Sequence, residues 1–580
     1  MKASDYIVSF LAERGIDTVF GYIGGMITHL VDSLGKSDKV RFVQTYHEQT
    51  AAIAAEGYAI ESGKFGVAIC TSGPGVTNMM TGIADAYFGS IPVIFITGQV
   101  NSYEYKYDKP IRQQGFQETD VVSIVKPITK YAVMVDNAEN LRYELEKAVH
   151  IATTGRKGPV VIDLPMNISR AELQPERLHS YVTNDATEKC SSYDIDEIIQ
   201  IISSAKHPML LLGGGCVDEK SSELINSFIS QSSFPVVTSL MGRGSIDESY
   251  SYYVGMIGSY GNRCANIAVS QADVLIALGS RLDTRQTGAM IKEFIPNGKI
   301  IHVDIDINEL SCHRLNNRVS VNATISEFIE KLLGTEIHYN NYIEWLNWIQ
   351  LVKSEYNQDC EIERFVSNKA PYKLMQKLND ITKEGDVITA DVGQNQMWAA
   401  QAIRLKCGMR FVNSGGLAPM GFSLPAAIGI AFANPSKKIF CITGDGGLHM
   451  AIQSLLLISQ YKLNISVIVL NNSALGMITQ FQHLYFDDRM EGTTSDGGYL
   501  VPDLKSIADA YNLDYTTEDL GKSGCLFDYR IEGLTTVSPK LEYNQPIYNP
   551  SPYLPKDELD GVLNTINMLK QVNIGGGKES

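Results

Sequence analysis

A β-run, Ile439-Phe-Cys-Ile-Thr443, ends at Gly444-Asp445-Gly446-Gly447; apolar residues then recur at helical spacing (Met450, Ile452, Leu455, Leu456, Ile458), and a second β-run, Ile465-Ser-Val-Ile-Val-Leu470, ends at Asn471-Asn472. This reads as one βαβ unit whose two strands end side by side. Asp445 and Asn472, 27 residues apart, therefore meet at the carboxyl edge of a sheet. A carboxylate and an amide oxygen beside glycine amides and a helix N-terminus suit Mg²⁺ plus a diphosphate. The hard cation takes oxygens, and the N–H groups and helix dipole take the anion. Alone, Gly-Asp-Gly is better read as a turn and Asn-Asn as a strand cap. Their pairing across two strands favours the ligand.

The same alternation extends outward through most of the 580 residues, in runs such as Gly66–Cys70, Val93–Thr97, Val160–Asp163, Met209–Leu212, Val274–Ala277 and Ile300–Asp304. Strands alternating with helices predict an α/β fold of three consecutive domains, each a central, mostly parallel sheet flanked by helices. Linker-like stretches at 169–194 and 335–372 divide the chain into units 1–170, 195–335 and 370–545. Beyond 545 the prolines of Tyr543–Pro555 and the terminal Gly575-Gly-Gly predict an extended tail over 546–580.

Composition narrows the functional classes. Apolar residues make up 44% and charged residues 20%, ordinary for a globular chain. The net charge of −16 speaks against nucleic acid or an anionic membrane as partner. Nine scattered cysteines without a C-x-x-C fit neither a disulfide framework nor a zinc ribbon and suit a reducing cytoplasm. No run approaches a membrane span, and the first residues lack the apolar core of a signal peptide.

Several further stretches are more specific. Ser414-Gly-Gly-Leu-Ala-Pro-Met-Gly-Phe-Ser-Leu-Pro-Ala-Ala-Ile-Gly429, Asp391-Val-Gly-Gln-Asn-Gln-Met-Trp398, Thr71-Ser-Gly-Pro-Gly-Val-Thr-Asn78 and Phe116-Gln-Glu-Thr-Asp120, together with the Asp445 unit, resemble thiamine-diphosphate enzymes of the acetohydroxyacid (acetolactate) synthase large-subunit type. The resemblance runs in order from about residue 3 to 515. It implies that Asp445, Asn472 and the backbone oxygen of Ala474 hold Mg²⁺. Gly393, Gln394, Gly444, Gly446, Gly447 and Met477 would contact the cofactor, and Met420 would be the apolar wedge that bends it. The chemistry of that cofactor requires an acid against N1′ of its aminopyrimidine. Glu48, in Tyr46-His-Glu-Gln49 after a β-run and opening a helix near Thr50, occupies the family's position for it. On local grounds Glu48 reads equally as a carboxylate that favours a helix N-terminus. Gly25, in Gly21-Tyr-Ile-Gly-Gly25, would allow close approach to the reacting carbonyl, and Gln117 and Phe116 would shape the pocket. Gly73, Gly75 and Asn78 read as turn and cap residues. The family builds its site between two chains, which implies a homodimer or homotetramer.

In the middle unit, Gly213-Gly-Gly215, Ser239-Leu-Met241, Gly279, Arg281, Asp283, Arg285, Asp304 and Ile305 lie at strand ends. Gly-rich strand ends with arginines suit a dinucleotide. With Arg156 they resemble the FAD site of these synthases, where the flavin is largely structural; a flavin-free relative that keeps the scaffold is the alternative.

The acceptor side departs from the family pattern. Phe481 stands where tryptophan is usual, Met166 replaces a lysine, Asn395 a histidine and Tyr260 another histidine, and the loop 489–502 is longer, placed with the tail to roof the site. The resemblance thus implies a carboligase that decarboxylates pyruvate, a 2-oxo acid donor, and joins the two-carbon unit to a second carbonyl. Flavin-containing relatives that transfer the acetyl unit to a keto-deoxysugar nucleotide are the alternative. A nicotinamide dehydrogenase lacks its G-x-G-x-x-G, and a non-catalytic flavoprotein leaves Glu48, Asp445 and Asn472 unexplained.

Overall fold

The computed structural model describes residues 1–183, 193–533, 535–537, 553 and 556–575. Three six-stranded sheets, parallel throughout, follow one another along the chain. Their central strands are short apolar runs buried on both faces, as parallel sheets covered by helices require, while edge strands such as Arg41–Gln44 and Asp514–Thr516 are partly exposed. The first sheet runs, edge to edge, Arg41–Gln44, Thr18–Tyr22, Gly66–Cys70, Val93–Gln99, Val160–Pro165, Tyr131–Met134. The third runs Arg410–Asn413, Val387–Ala390, Ile439–Gly444, Ile465–Asn471, Cys525–Arg530, Asp514–Thr516. Numbered within each domain, both have the order 2-1-3-4-6-5. The middle sheet runs Arg318–Asn322, Lys299–Asp304, Val274–Leu278, Pro208–Leu212, Val236–Thr238, Tyr253–Met256. Read from its other edge this is 3-2-1-4-5-6, the order of dinucleotide-binding sheets.

In such sheets ligands gather outside the carboxyl ends, where strand order reverses. That point falls after Tyr22 and Cys70 in the first domain, after Leu212 and Leu278 in the second, and after Ala390 and Gly444 in the third.

The first and third domains share one apolar core, joined by the crossing of helices Glu48–Ser62 and Ser423–Ala433. Backbones touch there. A Cβ on Gly57 would lie 2.2 Å from the Ala426 carbonyl oxygen, and one on Gly429 only 1.9 Å from that of Ala54.

Two expectations need correction. The stretch 335–372 is not a linker: it forms helices Ile343–Tyr356 and Gln358–Phe365, because Trp345, Leu346, Ile349, Val352 and Tyr356 recur at helical spacing and pack on the middle domain. Nor is all of 546–580 extended. Lys556–Gly575 is a helix whose Leu559, Val562 and Ile566 are buried on the middle domain, and Tyr553 is buried against Phe294. Most of the proline-rich run before it, part of the 169–194 stretch and residues 538–545 of the third unit lie outside the described residues. Among the described residues all eight cysteines are free, and no helix is long and apolar enough to cross a membrane.

Candidate functional site

At the first domain's switch point Glu48 is the first residue of the helix Glu48–Ser62, two residues earlier than the sequence reading. Its carboxylate is 6% exposed, and Asn78 Nδ2 donates to Oε2 at 3.0 Å. Asn78 is therefore more than a cap, a contact that spacing alone does not reveal. Around Glu48 stand two glycine-bearing turns. A Cβ on Gly75 would meet Glu48 Oε1 at 3.4 Å, and one on Gly73 would meet Gln117 at 3.1 Å. Gly24 packs on Thr71, whereas a Cβ on Gly25 would meet nothing within 4 Å. Gln117 adopts a left-handed backbone (φ 62°), and Phe116 beside it is 80% exposed.

At the third domain's switch point Asp445 is buried at the start of the helix Asp445–Met450. Its Oδ2 accepts from the backbone N–H groups of Asn472 and Ser473, each at 3.0 Å, so the ends of two neighbouring strands are tied through one carboxylate. Its Oδ1 accepts from the Tyr499 hydroxyl at 2.5 Å. Burial raises the Asp445 carboxyl above its ordinary range against the pull of these donors, and raises the Tyr499 phenol as well. Tyr499 belongs to the long loop expected to roof the site. Its contact with Asp445 was not legible, since it depends on how that loop folds back.

The Asn472 amide oxygen lies 3.2 Å from Asp445 Oδ2 and 2.8 Å from the Ala474 carbonyl oxygen, and the one donor it meets is the Ala474 N–H at 3.3 Å. Three oxygens thus converge with no hydrogen among them. Either the amide turns over and its NH₂ donates to both, or a cation sits between. Adjacent ligands of octahedral Mg²⁺ stand roughly 2.9 Å apart, so this donor set fits that ion. Among the described residues no group of three or more His, Cys, Asp and Glu is poised for a metal, which leaves one carboxylate with neutral oxygens. That is the set expected where a diphosphate completes the shell.

The remaining cofactor candidates line the same place. Gln394 opens the helix Gln394–Ala402 behind Gly393 (φ 143°), and its amide is held by Thr535, whose hydroxyl donates to Oε1 at 2.7 Å. A Cβ on Gly476 would strike Gln394 Oε1 at 2.0 Å, and one on Gly446 would come 3.0 Å from Met420 Cε, so the half-buried Met420 overhangs Gly446. Gly447 backs onto Asp391, and Gly444 faces Asn395. Met477 packs with Met397, Val537 and Tyr260. Phe481 lies against Tyr485, ring centres 4.8 Å apart, and Met166 begins the short helix Met166–Ser169. Among the described residues no hydrogen bond joins the Glu48 cluster to the Asp445 cluster. Exposed apolar side chains include Tyr46, Phe88, Phe116, Leu417 and Ile478, on or beside the segments that carry the two clusters.

In the middle domain the strand ends crowd where the order reverses. A Cβ on Gly213 would lie 2.2 Å from the Gly279 carbonyl oxygen, and one on Gly279 (φ 55°) would come 2.8 Å from Gly215 Cα. Gly214 faces Met241, which with Leu240 borders Gly415 of the third domain. Ser239 is buried, and its hydroxyl accepts from Gly242 N–H at 3.1 Å. Asp304 is buried and accepts from Asp306 N–H at 2.8 Å, and Ile305 beside it is exposed. Asp283 caps the turn that carries Arg285, Arg281 pairs loosely with Asp283 at 3.4 Å, and Arg285 lies over the Tyr260 ring. Arg156 reaches across from the first domain to Asp306 (3.2 Å) and Glu309 (2.6 Å). The backbone cradle and strand order fit a dinucleotide, while the Arg156 guanidinium is already paired with two carboxylates.

Comparison with known proteins adds to this geometry. Residues 1–124 match the thiamine pyrophosphate enzyme N-terminal TPP binding domain, 195–332 the central domain and 391–523 the C-terminal TPP binding domain. The chain is 37% identical over 529 residues to the acetolactate synthase large subunit of Buchnera aphidicola subsp. Schizaphis graminum, covering 88% of each protein. The chain belongs to the thiamine pyrophosphate enzyme family. Two more relatives of this thiamine pyrophosphate enzyme are the Escherichia coli K12 acetolactate synthase isozyme 2 large subunit, 36% identical over 513 residues (88% of this chain, 90% of that one), and the probable acetolactate synthase large subunit of Methanocaldococcus jannaschii, 36% identical over 533 residues (88% and 87%). The two switch-point clusters of Glu48 and Asp445 lie within the matched N- and C-terminal TPP binding domains.

Proposed function

We propose that this thiamine-diphosphate enzyme is a Mg²⁺-dependent carboligase, which releases CO₂ from pyruvate and joins the remaining two-carbon unit to a second carbonyl, a reading in line with relatives named acetolactate synthase. The observation that carries this reading is the convergence of Asp445 Oδ2, Asn472 Oδ1 and the Ala474 carbonyl oxygen at a strand-order reversal, beside the N-terminus of a helix. When bound, the cofactor would supply a carbanion nucleophile toward the 2-oxo carbonyl and a cationic ring that takes up the electron pair left by the departing CO₂.

The chain's own residues do the rest. Asp445, Asn472 and Ala474 would hold the ion. Gly393, Gln394, Gly444, Gly446 and Gly447 would take the diphosphate through N–H groups and an amide. Met420 and Met477 supply the apolar support for the rings. Glu48, buried and steered by Asn78, holds a proton at N1′ of the aminopyrimidine. Gly25, with open space where a side chain would stand, and Gln117 border the reacting carbonyl. The Glu48 and Asp445 clusters are separate within one chain, and apolar side chains are exposed around both. A second copy bringing its Glu48 to this chain's Asp445 completes the site, in a homodimer or homotetramer. FAD would lie across the middle-domain glycines, held by Ser239, Leu240, Met241, Arg281, Arg285, Asp304 and Ile305. Arg156 would reach it only by exchanging its present carboxylate partners.

A keto-deoxysugar nucleotide as acceptor is the second reading. It is favoured by the neutral, apolar character of Phe116, Met166 and Phe481, which provide no cation for an anionic 2-oxo acid. Mass spectrometry of products from labelled pyruvate, offered alone, with 2-oxobutyrate and with a nucleotide-linked 4-ketosugar, separates the two. Fast acetolactate formation from pyruvate alone supports the first reading, and absence of CO₂ release under every condition overturns both.

A further inference from the structure

Eight residues beyond Glu48 on the same helix lies a second glutamate that the proposed mechanism does not use. Glu56 is 0% exposed, and neither of its carboxyl oxygens has a hydrogen-bond donor. It sits where three helices are closest: Gly57 touches Ala426 of one neighbour, and Gly82 of the other packs so tightly that a Cβ there would lie 2.3 Å from Ala52 Cβ. What Glu56 meets is another carboxyl. Asp85, 3% exposed on the helix Pro74–Gly89, is within hydrogen-bonding reach of it. The Asp85 Oδ1 also accepts from the Ser414 hydroxyl at 2.5 Å.

Two buried carboxylates in contact, without a cation, are untenable as a doubly charged pair. The Asp85 charge bears on Glu56, and the Ser414 hydroxyl and Glu56 bear on Asp85. One proton between them resolves the conflict. Since Asp85 already accepts from Ser414, it is Glu56 that donates. Burial first, and the Asp85 charge second, push Glu56 well above the usual carboxylate range, while Asp85 is raised to about 6.

Ser414 shows what the pair acts upon. Its single proton goes to Asp85, which leaves the oxygen free to accept from Ala418 N–H at 3.0 Å. Ala418 adopts a left-handed backbone (φ 60°), a conformation that a residue with a Cβ keeps only when neighbours hold it. The loop so fixed, 414–421, runs between Met241 of the middle domain and Phe88 of the first and carries Met420 over Gly446. We infer that Glu56 is a positioning residue: its protonated carboxyl donates a hydrogen bond to Asp85, and Asp85, holding Ser414, sets the loop that presents Met420.

The inference rests on the proposed cofactor reading only for the role of Met420, and its first test needs no cofactor. In the infrared difference spectrum of the full-length protein against Glu56→Gln at pH 7, the carbonyl band of a protonated carboxylic acid should belong to the wild type. Carboxylate bands in its place overturn the inference. The second test is calorimetric titration of thiamine diphosphate with Mg²⁺ into the cofactor-free chain. Glu56→Gln keeps a donor toward Asp85 and should bind within about threefold of wild type, whereas Glu56→Ala should bind about tenfold more weakly, the cost of one lost buried hydrogen bond. Ser414→Ala, which opens no hole at the helix crossing, should show the same weakening of about tenfold and serves if Glu56→Ala does not fold. Equal weakening by Gln and Ala at position 56, or full affinity in Ser414→Ala, overturns the positioning role. If no chain, wild type included, binds the cofactor, the functional reading fails while the infrared result still decides the proton.

Discussion

Glu48 and Glu56 share one helix and one chemical identity, and their surroundings give them opposite tasks. Glu48 heads the helix, where backbone N–H groups and the dipole favour negative charge, and Asn78 donates to it. Glu56 lies mid-helix among close-packed backbones, with no donor and with a carboxyl opposite. The first is equipped to exchange a proton with a partner at a strand-order reversal. The second is equipped to keep one. Two turns of helix separate a reactive acid from a structural one, and the difference lies wholly in what each oxygen touches.

Substitution by glutamine separates the two roles most sharply. Glu48→Gln should lower CO₂ release from pyruvate by about a hundred- to ten-thousand-fold, the usual weight of a positioned acid. Glu56→Gln should leave it within a few-fold. Equal losses would erase the distinction, and unchanged turnover in Glu48→Gln would remove that residue from its role. Next in size is Asp445→Ala, which takes away the one carboxylate of the oxygen cluster. It should raise the Mg²⁺ concentration that half-saturates cofactor binding by about a hundredfold, measured by calorimetry across a metal series. Indifference to the metal would mean that the convergence on Asn472 is only an amide waiting to turn.

Most of the frame that holds these residues could be read from the chain. Parallel strands buried on both faces are continuous apolar runs, so Ile439–Gly444 and Ile465–Asn471 announce themselves, and with them the meeting of Asp445 and Asn472. The helices Ile343–Tyr356 and Lys556–Gly575 escape a local reading for a common reason. Between polar and proline-bearing flanks each carries a narrow apolar stripe that gains meaning only against the middle domain. Asn78 toward Glu48, Tyr499 toward Asp445 and Asp85 toward Glu56 are contacts between segments distant in sequence. No local pattern encodes them, because each side chain is unremarkable until the fold supplies its partner.

A smaller effect distinguishes the two oxygens of Asp445. The Tyr499 hydroxyl orients Oδ1 from outside the oxygen cluster, while backbone N–H groups hold Oδ2. Tyr499→Phe should therefore weaken Mg²⁺-dependent cofactor binding by roughly tenfold, in the range found for partners that orient a metal ligand. Tighter binding in the variant would mean that the phenol competes with the ion for the carboxylate.

The gentlest expected effect is a slope. In the folded chain Glu56 keeps its proton above the pH at which an unfolded glutamate loses it, because its folded value is raised. Above the ordinary carboxylate range the unfolded state therefore binds fewer protons than the folded one, and stability falls as pH rises. The fall ends only where the folded pair itself gives up that proton. Glu56→Gln has no such proton, so its advantage over wild type should be absent near pH 4 and grow by about 1.4 kcal/mol per pH unit above that, read from denaturant midpoints between pH 5 and 8. A profile for Glu56→Gln that runs parallel to that of wild type would return Glu56 to the charged state and, with it, undo the contrast between the first residue of this helix and its middle.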